Sequence, residues 1–582
     1  MPPIFDEHNT QKLELDEDNI DDDEATLPPA HNVLRSTQSR DDSENDFKSS
    51  AARKSTNDQH KASDTRTSKQ PSVAHRIASE LNLPCFTARS QQLHLLPSPS
   101  VFHSTLISLI QNARNRIVLT SLYIGPTESD LIHVHLRTAL KQNPSLKCTI
   151  LLDALRGTRE GSDKASAASL VAALARDFPD QVDARLHLTP RVTSTLMRKL
   201  LPKRFGEGLG LQHMKLYLAD NSLIISGANL SRDYFTNRQD RYLLIEDHHG
   251  LGDYVQDLIT RRYARHAYRL QAASASSSSL ENTPYELVWD AGEQSDHIWG
   301  NTSAPVQRPP IEFKWSSSLA RDLSKVTDEW RSRTAQSRGD GADDADVQVV
   351  PLLQLGIVGL TQETDVLSRL CSAENLPNAS TVDLTTGYFS PSPSLVQLLL
   401  NQRKRSLALR ILTASPRANG FFGSSFPSGM LPAAYVLLER AFGKKALNAG
   451  WTRDVSGGEG KRLEMRRWEK QGWTYHAKGL WITTPSPTGS TAARPTISLV
   501  GSSNYGRRSC NLDSECTFLL CTAPDSEFAT KLSQERDALL QHSRDWEWDT
   551  ADSSRQRVEE KELGIETRPL VRALTWALKG LL

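Results

Sequence analysis

The same chemical pattern occurs twice in this chain, at matching offsets. Tyr123 in SLYIG precedes His213-Met214-Lys215 by 90 positions, and Tyr388 in TGYFS precedes His476-Ala477-Lys478 by 88. Downstream, Asn229 follows His213 by 16 positions and Asn504 follows His476 by 28. The excess of 12 equals the length of the turn-like run TPSPTGSTAARP at 484–495. Asp240 and Glu515 then each lie 11 positions beyond their asparagine. A spacing kept this closely over such distances predicts two copies of one structural unit.

The texture between these marks is that of an α/β fold. In the first half, helical periodicity in VFHSTLISLIQNAR gives way to β-rich RIVLTSLYIG, then to helical ESDLIHVHLRTALKQ and β-rich KCTILLDAL. Strands follow in ARLHLTP, MKLYLAD, SLIISG and RYLLIED, before a helix over about 251–271. The second half resumes the alternation from VQVVPLLQLGIVGL to ECTFLL. One α/β domain is therefore expected over 79–271 and a second over 347–582. Residues 1–78 read as disordered, since the first 50 hold 14 acidic and 4 basic side chains with few large apolar ones. Residues 272–346, with SSSSLENT, APVQRPP and RGDGADDAD, read as a mostly disordered linker.

Charge and hydropathy narrow the function. The 582 residues include 69 Lys+Arg against 69 Asp+Glu, without the basic excess on which nucleic-acid affinity rests, so no nucleic-acid partner is expected. No stretch approaches the roughly 18 apolar residues of a membrane-spanning helix, so membrane contact has to be interfacial. Six cysteines without a CxxC pair suggest a reducing compartment, and Cys510, Cys516 and Cys521 lack the spacing of a zinc site.

Side chains alternate faces along a strand, so His213 and Lys215 point the same way, as do His476 and Lys478. A histidine can attack phosphorus or shuttle a proton near neutral pH, and a lysine can hold a non-bridging phosphate oxygen. Two such pairs facing each other would grip one phosphodiester. Two lysines on the phosphate oxygens leave no task for a metal, and none is expected. The loop Gly125-Pro126-Thr127 lacks the GKS or GKT of a phosphate-cradling loop, which argues against an ATP site there.

HMKLYLAD followed by SGANLS, and YHAKGLW followed by GSSN, resemble the paired histidine-lysine-aspartate motifs of the phospholipase D superfamily. LGLQHMKLYLAD, SGANLSRDYFTNRQDRYLLIED, SLYIG, LLDALRGTRE, PLLQLG and GWTYHAKGLW are similar, more closely, to the eukaryotic CDP-diacylglycerol–glycerol-3-phosphate 3-phosphatidyltransferases, over about 80–545. The resemblance implies two phospholipase D-like α/β domains related by a pseudo-two-fold, with one active site between them. It implies that His213 attacks the phosphatidyl phosphorus of CDP-diacylglycerol, that His476 serves as acid and base, and that Lys215 and Lys478 clamp the phosphate. The histidine roles could be exchanged. Asp220 completes the first motif and is grouped with its catalytic residues, though its expected task is to support the strand turn; Asn229 and Asn504 add neutral donors, and Asp240 and Glu515 orient the histidines. The acceptor is glycerol 3-phosphate, whose phosphate Arg156, Arg159 and Arg417 are candidates to bind.

The second motif departs from the pattern at Thr483, where an aspartate is the rule. That leaves a degenerate, non-enzymatic member open beside the transferase, as well as a phosphatidylserine synthase, a cardiolipin synthase or a nuclease built on the same histidines. Two basic-apolar segments, STLMRKLLPKRF at 194–205 and the amphipathic RPLVRALTWALKGLL at 568–582, suit either an anionic membrane surface or ordinary core packing. The resemblance implies a peripheral position at the mitochondrial inner membrane. The N-terminus does not announce it: its first 24 residues carry ten acids and one Lys, the opposite of a presequence.

Overall fold

The computed structural model describes residues 72–547, except 126–127, 129, 161–164, 190–206, 274–282, 290–295, 301–314, 337–344, 403–405, 454–459 and 486–492, together with Leu563, Val571 and Thr575. The basic segment 194–205 lies outside the described residues.

Two large mixed sheets carry the fold, and their central six strands follow one plan. In the first sheet the neighbours run Val182–His187, Lys147–Asp153, Arg116–Thr120, Leu216–Ala219, Ser222–Ser226 and Tyr242–Ile245. The first three are parallel and the last three join antiparallel. The second sheet repeats this as Lys461–Trp468, Leu407–Ala414, Ser380–Thr386, Lys478–Thr483, Ile497–Gly501 and Glu515–Thr522, with the same polarities. Parallel neighbours need a crossover, and each of the four carries a helix, Arg137–Gln142, Ala167–Asp177, Pro393–Leu400 and Leu431–Asn448. Glu515–Thr522 is buried at every position, as expected of a strand covered on both faces.

The chain order is not the spatial order at the N-terminus. Helix Val73–Glu80 buries Ala74, Ile77 and Ala78 in the core of the second half, and Phe86–Ala88 pairs antiparallel with Val347–Val349 of the second sheet. Residues 73–88 therefore pack on the second half, although sequence reading divided them between a disordered segment ending at 78 and the first domain.

The expectation of a mostly disordered linker over 272–346 also needs correction. It contains strand Tyr285–Trp289, which extends the first sheet, and the 22-residue helix Trp315–Gln336. Trp315, Leu319, Leu323, Val326 and Trp330 recur every three or four residues and form one buried face. The indole N–H groups of Trp315 and Trp330 donate to His266 O and Asp257 Oδ2 at 3.0 and 3.1 Å. Polar residues fill the other faces of this helix, and they dominate its average hydropathy.

The halves lock together around Arg241. Its guanidinium, essentially unexposed, pairs with Glu535 at 2.7 Å, donates to Leu499 O at 2.8 Å and lies 3.9 Å from the centre of the Trp481 ring. Gly479, at φ +153°, makes room for it, because a Cβ there would fall 1.8 Å from Arg241 Nη1.

Candidate active site

Each histidine is presented by a short parallel pairing between the halves. Arg238–Gln239 pairs with Thr474–Tyr475, and His476 N–H donates to Gln239 O at 2.8 Å. In the other direction Gln212 bridges Ser514, and His213 N–H donates to Ser514 O at 2.9 Å. Gln239 directly precedes Asp240, and Ser514 directly precedes Glu515. Each histidine is thereby set beside the carboxylate of the opposite half.

The contacts are accordingly crossed. His213 Nδ1 lies 2.9 Å from Glu515 Oε2, and His476 Nδ1 lies 2.6 Å from Asp240 Oδ2. Both carboxylates are fully buried and fixed by further donors. Ser502 Oγ and Ser509 Oγ donate to Glu515, and Arg241 N–H donates to Asp240 Oδ1. A carboxylate on Nδ1 fixes the tautomer that leaves Nε2 facing the substrate.

Lys215 and Lys478 are also buried, and each ammonium donates to the main-chain carbonyl of its own histidine. Lys478 Nζ further lies 2.7 Å from His476 Nδ1 and 3.6 Å from Asp240 Oδ2. Gly227 makes this approach possible, since a Cβ there would stand 2.8 Å from Lys478 Cδ and 2.7 Å from Asp240 Oδ1. Two cations and two anions thus share one buried space, which lowers the cost of desolvating each.

Burial dominates the protonation of the site. It lowers His213 below the ordinary histidine value, against the raising effect of Glu515. Burial, with Lys478, Arg238 and Lys215 behind it, lowers His476 well below that value. Burial brings Lys215 to about 7 and Lys478 to about 8, and raises Asp240 to about 6. Glu515 is pulled upward by burial, but His213, Lys215 and Ser502 outweigh this and hold it below its ordinary value. At neutral pH both imidazoles are neutral beside ionised carboxylates. That is the state in which a histidine can attack phosphorus.

The backbone leading to His213 is held by two more acids. Leu211 N–H donates to Asp513 Oδ1 and Gln212 N–H to Asp153 Oδ2, both at 3.0 Å. The other Asp153 oxygen caps the short helix of Arg156, accepting from Leu155 N and Arg156 N. Arg156 lies over the Tyr123 ring at 4.8 Å. Around His476 stand Tyr234, whose Oη is 3.3 Å from Nε2, and Tyr388, edge-on at 5.4 Å between centroids.

Most expected site residues therefore converge. Asn229 is buried, Asn504 is half-buried, and the amide oxygen of each has no hydrogen-bond partner among the described residues. Arg156 reaches the aromatic wall, whereas Arg159 and Arg417 are exposed. Asp220, which the motif groups with the catalytic residues, does not join the histidines; it supports the strand turn instead, as the sequence reading expected. At the far end of the His213 strand, its carboxylate accepts from the backbone N–H groups of Arg114, Asn115 and Arg116 at 2.7–3.1 Å. A turn at φ +50° directs it there.

Arg238 escaped the sequence reading. It stacks over Tyr234 at 4.8 Å, pairs with Asp233 at 2.9 Å and donates to Thr474 Oγ1. It belongs to the quoted run SRDYFTNRQDRYLLIED, but no spacing marks it off from the other arginines there. Asp153, in LLDALRGTRE, was equally unmarked.

Comparison with known proteins settles the family. The chain is 34% identical over 470 residues to the CDP-diacylglycerol–glycerol-3-phosphate 3-phosphatidyltransferase of Saccharomyces cerevisiae, covering 79% of this chain and 84% of that protein. It is 32% identical over 487 residues to the mitochondrial human enzyme of the same name, covering 81% and 82%. The chain belongs to this phosphatidyltransferase family. The phosphatidyltransferase fold is shared with phosphatidylserine synthase of Haemophilus influenzae, at a TM-score of 0.59 and 22% identity over 87% of this chain and 99% of that one. No protein-family model matches the chain.

Proposed function

We propose that the chain makes phosphatidylglycerophosphate from CDP-diacylglycerol and glycerol 3-phosphate by two displacements at the crossed histidine pairs. Membership of the family makes it a phosphatidyltransferase of this specificity, which sets aside the non-enzymatic reading that Thr483 leaves open. The observation that carries the two-step reading is the reciprocal geometry, with His213 on Glu515 and His476 on Asp240.

In the first step the Nε2 lone pair of His213 forms a bond to the phosphatidyl phosphorus. The phosphorus–oxygen bond to CMP breaks, and the departing oxygen takes a proton from His476 Nε2. In the second step the primary hydroxyl of glycerol 3-phosphate gives its proton back to His476. Its oxygen then bonds to phosphorus as the nitrogen–phosphorus bond of His213 breaks.

His213 suits the nucleophile because, among the described residues, only its Nδ1 is engaged, by Glu515. His476 suits the acid because its Nε2 meets Tyr234 Oη and its Nδ1 meets Asp240. The dianionic diphosphate entering between Lys215 and Lys478 favours the imidazolium that the free site disfavours. The same lysines neutralise the charge that develops on the phosphoryl oxygens, so the reaction as proposed uses no metal or other cofactor. Arg156 and Arg238 supply cationic recognition for the phosphate of the acceptor.

The relatives from human and orangutan are named mitochondrial, and the chain is assigned to the mitochondrion with them. We place it peripherally at the inner membrane, without a nucleic-acid partner. No helix among the described residues is long and apolar enough to cross a membrane.

The test is rapid-quench turnover of CDP-diacylglycerol. Wild type forms an acid-labile phosphatidyl-protein adduct with release of CMP, and glycerol 3-phosphate discharges it to phosphatidylglycerophosphate. His213→Ala forms no adduct, and His476→Ala slows both steps by about 10²- to 10⁴-fold. An adduct that survives in His213→Ala and vanishes in His476→Ala reverses the two roles.

A further inference from the structure

Beside the active site the chain carries two phenylalanines that are exposed among the described residues. Among the described residues four large hydrophobic side chains are exposed, and two of them, Phe422 at 52% and Phe426 at 74%, lie on one loop. This loop follows strand Leu407–Ala414 and runs as ANGFFGSSFPSGM to Met430. Its tip is open, for Gly423 turns at φ +73° with no atom within 4 Å of the Cβ position.

The root of the loop is part of the site already described. Tyr475, the residue before His476, donates its N–H to Ala418 O at 2.8 Å. A Cβ on Gly420 would stand 2.8 Å from Tyr388 Oη and 3.4 Å from Arg238 Nη2. The Phe421 ring packs on Tyr388 at 5.4 Å, and Tyr388 meets His476 edge-on at the same separation. A continuous wall thus leads from the reacting histidine through Tyr388 to Phe421, which directly precedes the exposed Phe422.

Two other features flank the loop. Arg417, at the loop root, is exposed and basic. At the loop exit Met430 packs in a small cluster with Ala433, Val436 and Val571, so Val571 of the C-terminal run stands beside the end of the loop.

We propose that the Phe422–Phe426 loop is the surface by which the enzyme docks on the lipid bilayer that holds its substrate. The inference rests on the phosphatidyltransferase reading, because that substrate fixes the occupant. The reacting phosphorus of a diacyl nucleotide lies at the bilayer surface while its acyl chains remain inside. The histidines reach it only if their mouth faces the membrane. Aromatic rings beside a basic side chain fit the boundary between acyl chains and anionic headgroups. The loop inserts its rings, and the wall behind them guides the diphosphate to His213 and His476.

The experiment compares the full-length wild-type chain with the Phe422→Ser/Phe426→Ser and Phe422→Trp/Phe426→Trp double variants. Binding is measured by co-sedimentation with phosphatidylcholine vesicles containing phosphatidylglycerol. CMP release is measured with long-chain CDP-diacylglycerol in those vesicles and with a short-chain form dispersed below its micellar concentration. The serine variant is expected to bind vesicles about tenfold or more weakly, from the transfer energy of two aromatic side chains. Its KM for vesicular substrate rises, turnover of the dispersed form is unchanged, and the tryptophan variant retains binding.

Vesicle binding equal to wild type in the serine variant overturns the proposal. So does an equal loss of activity on both substrates, which assigns the rings to catalysis or folding. Unaltered vesicle binding with a shift in sedimentation coefficient assigns the patch to a second copy of the chain and likewise overturns it. Weakened vesicle binding in a system where wild type releases no CMP supports the docking surface and counts against the transferase reading instead.

Discussion

The two motif strands differ where they end. The strand of His213 stops at Ala219, and Asp220 turns back to gather three backbone N–H groups of residues 114–116. The strand of His476 runs on to Thr483, which pairs in register with Thr381 of the neighbouring strand. Seven residues beyond each histidine the halves thus solve the same problem, anchoring the far end of the motif strand, in different ways. At the histidine end they are nearly identical, with His, Lys and a carboxylate from across the interface in each. The chemistry lies in the conserved end of the comparison, and the aspartate lies in the divergent end.

The largest effects should come from the crossed carboxylates. Glu515→Gln removes the anion that orients His213, and Asp240→Asn removes the one that orients His476. Each should lower kcat by roughly 10²- to 10⁴-fold, as loss of an orienting carboxylate does in other triads. Crossing predicts which step fails. Glu515→Gln should slow adduct formation on His213, while Asp240→Asn should slow proton transfer at His476 and so CMP departure and adduct discharge. Rapid-quench measurement of both steps checks this, and a Glu515→Gln enzyme impaired only in discharge breaks the crossed assignment.

The pH profile sharpens the comparison next. Asp240 titrates at about 6, so kcat/KM should fall as pH drops through that value and the carboxylate that orients His476 is protonated. Lys215 and Lys478 lose their charge through about 7 to 8, so kcat/KM should fall again as pH rises and the phosphate clamp weakens. Lys215→Arg keeps a cation at any pH and should move the alkaline limb upward, at some cost in rate. An alkaline limb unmoved in that variant excludes Lys215 as its source.

What the sequence made legible was whatever repeats locally. The α/β alternation, the two His-x-Lys strands and the matched asparagine and carboxylate offsets could all be read because each depends on short-range periodicity or a shared register. The partner of each histidine could not be read this way. Asp240 and Glu515 stand at the same offset in their own halves, and only the pairing of Gln239 with Tyr475 and of Gln212 with Ser514 decides which imidazole each meets. The same reason hid Phe86–Ala88, a strand in the first part of the chain that completes the second sheet. Helix Trp315–Gln336 was missed for a different reason: five apolar anchors in 22 mostly polar residues look like linker unless their phase is counted.

The smallest expected effect on rate separates the two strand ends. Asp220→Ala removes three hydrogen bonds from backbone donors to a carboxylate and should destabilise the fold by about 1–3 kcal/mol. Its kcat below the melting transition should stay within a few fold of wild type, because Asp220 touches neither histidine nor lysine. Thr483→Asp tests the converse. Thr483 is buried, its hydroxyl has no hydrogen-bond partner among the described residues, and its strand continues where the first one turns. An aspartate there finds no three waiting N–H groups and meets a desolvation cost instead, so it should lower Tm without raising kcat. A Thr483→Asp enzyme that is faster than wild type would mean that the motif aspartate acts on the chemistry from the far end of its strand.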